Sequence, residues 1–73
     1  MVEYSVVLFY STAHALRAEK VLQQAGLMIK MIPTPRQLSS DCGMALRFDR
    51  QKEAHVAAVL EQSKVPINGI HAI

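Results

Sequence analysis

A chain of 73 residues has room for one small domain, and a hydrophobic share of 51% with a mean hydropathy of +0.15 suits a compact fold and excludes a disordered or repetitive one. Eight basic and six acidic residues leave a net charge of +2 and a pI of about 9.0, spread without runs and too even to point to nucleic acid. The longest apolar stretch, Val6-Val7-Leu8-Phe9-Tyr10, is far too short to span a bilayer and follows no basic leader, so the chain reads as a cytoplasmic protein with no membrane partner.

Taken in order, Tyr4 to Phe9 is rich in β-branched and aromatic residues and predicts a buried strand. Ser11 or Thr12 can cap a helix that ends before Gly26, with Ala15, Ala18, Leu22 and Ala25 on one face. Leu27 to Ile32 predicts a second strand, stopped by Pro33 and Pro35, and Met44 to Phe48 a third. Asp49 is an N-cap for a helix from about Arg50 to Ser63, whose inward stripe is Val56, Ala57, Val59 and Leu60. Pro66 and Gly69 then separate it from a last strand, Ile70 to Ile73.

This βαββαβ order predicts a single ferredoxin-like α+β domain over residues 1–73, a four-stranded antiparallel sheet with both helices on one face. Strands one and two should run parallel, which brings Ser11-Thr12 and the Pro33 to Gly43 loop to the same end of the sheet. The second helix ends at that edge too, bringing Lys64 near. Strands two and four are the expected edges, and a small core leaves a homodimer plausible.

The single cysteine, Cys42, lies between Asp41 and Gly43 at the end of that loop. One thiol excludes an intrachain disulfide and any Cys-x-x-Cys motif, so its chemistry requires a partner molecule. Nearby positive charge and exposure favour thiolate, and the free N–H groups of a helix N-terminus favour an anion. Candidate stabilisers are therefore Arg36, Ser39, Ser40, Gly43, Ser11 and Thr12 around Cys42. Asp41 acts the other way, since an adjacent carboxylate raises a thiol pKa. His14 and His71 lack the short ligand spacings of zinc sites, so neither a metal nor any other cofactor is expected. His14 reads as an exposed first-turn residue and His71 as an outward strand residue, while Met31 and Met44 read as core.

Pro33-Thr34-Pro35-Arg36, Leu38-Ser39-Ser40, Cys42-Gly43 and Ala45-Leu46-Arg47-Phe48 together resemble the Pro-x-Pro-Arg and Ser-Ser-x-Cys-Gly signature of the small bacterial selenium/sulfur carrier protein-like family. Ser11-Thr12 followed by Ala18-Glu19-Lys20 and Leu22 resembles the first helix of that family, and Gly69-Ile70 its last strand, so the likeness covers nearly the whole chain. One departure is that the family carries a histidine directly after its Ser-Thr pair, where this chain has Ala13 and then His14. One residue turns a helical side chain by about 100°, so no role for that histidine is carried over. The resemblance implies that Cys42 holds sulfur or selenium as a persulfide-type adduct, taken from a donor enzyme and passed to an acceptor enzyme. The alternative from a different class is a non-catalytic ferredoxin-like interaction or ligand-sensing module in which the cysteine is structural.

Overall fold

The computed structural model describes residues 3–38 and 43–73. Its elements are β1 (Tyr4–Leu8), α1 (Thr12–Gln24), β2 (Ile29–Pro33), β3 (Met44–Asp49), a 3-10 turn (Arg50–Lys52), α2 (Glu53–Gln62) and β4 (Gly69–Ala72). The sheet order is β2-β3-β1-β4 with every neighbouring pair antiparallel, so β1 and β2 run parallel on either side of β3, and β2 and β4 are the edges. This is the ferredoxin-like arrangement expected from the order of elements.

Helix α1 forms where its caps allow. Ser11, extended at φ −152°, accepts a hydrogen bond on its hydroxyl from the His14 backbone N–H at 3.3 Å, satisfying one of the four free donors of the first turn. At the other end Gly26 takes φ +80°, donates to the Gln23 carbonyl at 3.0 Å, and lets Leu27 donate to Leu22 at 3.1 Å, which closes a Schellman cap. That cap is why β2 begins at Ile29, two residues later than expected: the Leu27 N–H is already used by the helix. Ala15, Ala18 and Leu22 are fully buried as the small-residue spacing predicts, whereas Ala25 falls at the C-cap and is exposed.

Pro33 is the last residue of β2, not the residue that stops it after Ile32. Thr34 N–H donates to the Gly43 carbonyl at 3.0 Å, so the adjacent Pro33 and Met44 occupy a non-hydrogen-bonded pair, where the N–H that proline lacks would point away from β3. The second helix also differs from its expected span. Asp49 caps, but its carboxylate accepts from Gln51 N–H at 3.0 Å and so tightens residues 50–52 into the 3-10 turn before the α-helix starts at Glu53. Its end repeats the Schellman geometry with a lysine: Lys64 adopts φ +56°, Lys64 N–H reaches Glu61 and Val65 N–H reaches Leu60.

The main core lies between the sheet and both helices, formed by Val7, Phe9, Leu46 and Phe48 against Ala15, Ala18, Leu22, Val56, Leu60 and Val65. Met31 and Met44 pack against it as expected. Val6, Leu8 and Ala45 alternate to the opposite, helix-free face, yet they are at most 2% exposed, with Ile32 and Leu38 packed over them. Both faces of β1 are therefore buried, which is why its sequence is a continuous apolar run and not an alternation.

Candidate functional site

The end of the sheet at which β1 and β2 finish gathers the segments that the sequence singled out. Leu8, the last residue of β1, pairs with Ala45, and Pro33, the last residue of β2, pairs with Met44, so both strands finish where β3 begins. Ser11 and Thr12 follow immediately and open α1. Thus the helix N-terminus and the base of the Thr34 to Gly43 loop share one edge, as the topology predicts.

The ascending side of that loop has defined supports. Leu38 N–H donates to the Pro35 carbonyl at 3.0 Å, turning the chain over Arg36 and Gln37, both exposed. The turn delivers Leu38 to the helix-free face, where it packs on Val6, Leu8 and Ala45. On the returning side Gly43 is exposed, its carbonyl held by Thr34, and a Cβ added to it would meet nothing within 4 Å. Its glycine identity is therefore not required by crowding from the described residues. Ser39, Ser40, Asp41 and Cys42, which include the expected reactive cysteine and two of its candidate stabilisers, lie outside the described residues.

Ser11 is half-buried with its hydroxyl committed to the cap, while Thr12, the first helical residue, is exposed and also has an interaction partner. His14 is not the exposed residue expected: it is half-buried, and its buried Nδ1 finds no hydrogen-bond partner among the described residues. His71 is exposed on the helix-free face, and its Nε2 lies beside Gly69, 3.0 Å from where a Cβ would stand.

Two arginines with clear structural duties escaped the sequence reading. Arg17, on the second turn of α1, donates from its guanidinium to the Ser63 carbonyl at 2.9 Å, a cation on the free carbonyl end of α2. The contact fixes the end of α2, with Lys64 next to it and exposed, at the loop edge of the sheet. At the opposite edge Arg50 pairs with the Glu3 carboxylate and donates to the carbonyls of Tyr4 at 3.3 Å and Ile73 at 3.1 Å, clasping the start of β1 to the end of β4. No local spacing signals either contact, since each joins segments distant in sequence.

The described residues contain no group of three or more His, Cys, Asp or Glu side chains placed to hold a metal, and no helix long and apolar enough to cross a membrane. Among curated proteins and among solved structures nothing matches this chain. A family model does match, over residues 3–72, and it covers the sheet, both helices and the whole loop between Pro33 and Met44. The chain belongs to the family described as "Putative Se/S carrier protein-like".

Proposed function

We propose that this protein carries sulfur or selenium on Cys42 as a persulfide-type adduct. The observation that supports it most is the family match over residues 3–72, which includes the loop bearing the single cysteine. In the first step the Cys42 thiolate attacks the terminal sulfur of a donor enzyme's persulfide. A new S–S bond forms at Cys42, the donor's S–S bond breaks, and its thiolate leaves with the electron pair. In the second step a nucleophile on an acceptor enzyme attacks the terminal sulfur, and Cys42 leaves as thiolate. Neither step needs an oxidant or reductant, and one thiol suffices for both. A selenium adduct follows the same balance with selenium as the terminal atom.

Such transfer requires more thiolate at neutral pH than the few per cent of a free cysteine, whose pKa is about 8.5. In this proposal Arg36, the N–H groups from Ser39, Ser40 and Gly43, and the α1 N-terminus at Ser11 and Thr12 supply the stabilisation. What supports this reading is the topology: β1 and β2 finish at the end of the sheet where β3 begins, and α1 opens just after β1. A carrier of this kind meets donor and acceptor proteins in turn.

The test is to incubate reduced protein with a cysteine desulfurase and labelled cysteine, and separately with a selenium donor, then locate adducts by intact and peptide mass spectrometry. A labile adduct of about one sulfur or selenium mass confined to Cys42 is expected. An unmodified Cys42 that a small reagent alkylates readily would refute the carrier role and favour a ferredoxin-like interaction module with a non-transferring cysteine. The rate of alkylation against pH tests the activation separately, and an Arg36→Ala variant with an unchanged profile removes Arg36 from it.

A further inference from the structure

Cross-strand pairing sets Lys30 opposite Arg47, Arg47 opposite Val6, and Val6 opposite His71, so the four residues form one row across the sheet. Val6 belongs to the helix-free face, packed with Leu8 and Ala45, and the row shares that face. Two cations directly opposite one another repel, and a sheet ordinarily avoids the pair or neutralises it. Here no carboxylate among the described residues lies within ion-pairing distance of either. Glu3 is paired with Arg50, and Asp49, two places along from Arg47, holds the Gln51 N–H on its Oδ1.

Beside the pair lies a cleft of about 150 Å³ lined by Tyr4, Met28, Ile29, Lys30, Arg47 and Phe48, with no acidic side chain in its wall. The Arg47 guanidinium rests 4.1 Å above the Tyr4 ring, which holds its plane in place while leaving its N–H edge available. The cleft is open to solvent and has room for a four-oxygen anion with accompanying water.

We infer that this cleft binds one small tetrahedral oxyanion of the phosphate or sulfate class, held by the Arg47 fork and the Lys30 ammonium across the edge of β2 and β3. The anion supplies the counter-charge that the pair otherwise lacks, and arginine's paired donors match two of its oxygens. The site uses no residue of the Cys42 loop, so its failure and that of the carrier role are independent.

The experiment is amide NMR titration with inorganic phosphate, then with sulfate, at ionic strength held constant with chloride. Saturable shifts are expected at Tyr4, Lys30, Arg47 and Phe48, with Lys20 and Lys52 unmoved. Arg47→Gln and Lys30→Gln should each weaken binding about tenfold or more, and Lys20→Gln should leave it unchanged. Lys30→Gln should also raise the urea midpoint in chloride, by removing the repulsion, while losing the further rise that phosphate gives the parent protein. Shifts that grow linearly without saturating, equal shifts at Lys20 and Lys52, or undiminished binding by Arg47→Gln would each overturn the proposal.

Discussion

Truncating Leu8 to alanine measures how firmly Leu38 is seated on the helix-free face of the sheet. Leu8 projects from the sheet face that carries no helix, where an unprotected leucine would be a surface residue whose truncation changes stability by about 0.5 kcal/mol at most. Instead it is 2% exposed, with Leu38 packed over the cluster it forms with Val6 and Ala45. Losing a buried leucine side chain removes its transfer free energy and leaves a cavity, together about 2–5 kcal/mol. A value near 3 kcal/mol is expected, because a loop can relax into part of the space. For a domain of this size, total stability is about 4–11 kcal/mol, so Leu8→Ala remains folded near the upper end and becomes marginal near the lower. Urea unfolding is the assay. With a slope of about 1 kcal/mol per molar, the midpoint should fall by about 3 M. Leu16→Ala, at a position 55% exposed on α1, is the control and should move it by about 0.5 M at most. A double-mutant cycle of Leu8→Ala with Leu38→Ala should give a coupling of at least about 0.5 kcal/mol. A loss below about 1 kcal/mol for Leu8→Ala, or strict additivity with Leu38→Ala, would refute the seating of Leu38 on this face.

Arg50→Ala should cost about 1–2 kcal/mol in urea unfolding, since it removes charge-assisted bonds to the Tyr4 and Ile73 carbonyls, whereas Glu3→Gln should cost less than about 0.5 kcal/mol because that ion pair is exposed. Equal losses would mean that the ion pair, not the carbonyl clasp, carries the contact. Ser5 is fully buried and its hydroxyl finds no partner among the described residues, so Ser5→Ala should leave stability unchanged or raise it by about 1 kcal/mol, and a loss above about 1 kcal/mol would contradict that. Lys64 holds φ +56° at the end of α2, so Lys64→Gly should raise the thermal midpoint through about 0.5–1 kcal/mol of relieved strain, and a lowered midpoint would refute that account.

Features decided within a few residues were legible in the sequence. The Ser11 cap and the Gly26 terminator bracket α1 because each acts through hydrogen bonds to its own helix turn. The run Val6 to Phe9 announced a buried strand, and its lack of alternation is explained by cover on both faces. What depends on distant partners was not legible. The 3-10 turn after Asp49, the lysine in a position usually held by glycine, and the clasps made by Arg17 and Arg50 reflect tertiary packing overriding local preference. The row of Lys30, Arg47, Val6 and His71 exists only through strand register, and a slip of one residue would send half of it to the other face. Around the candidate site, the order of elements foretold that β1 and β2 finish at one end of the sheet, where α1 opens. It missed Leu38 as an anchor, since an isolated leucine among prolines and serines carries no periodic signal.

The same edge has an electrostatic asymmetry that bears on what it can hold. Helices α1 and α2 run antiparallel, so the N–H end of one stands beside the carbonyl end of the other, and two bare macrodipoles would largely cancel there. Arg17 removes that balance by donating to the Ser63 carbonyl, and Lys64 adds a second cation at the same terminus. The α2 end is thereby neutralised while the α1 N-terminus keeps its positive field. For that terminus, Asp and Glu are absent from the first turn of α1, so no side chain of the first turn offsets the field. An end of the sheet arranged in this way favours an anion near Ser11, and a thiolate or persulfide on Cys42, as proposed, would draw on that field only if the loop brings it there.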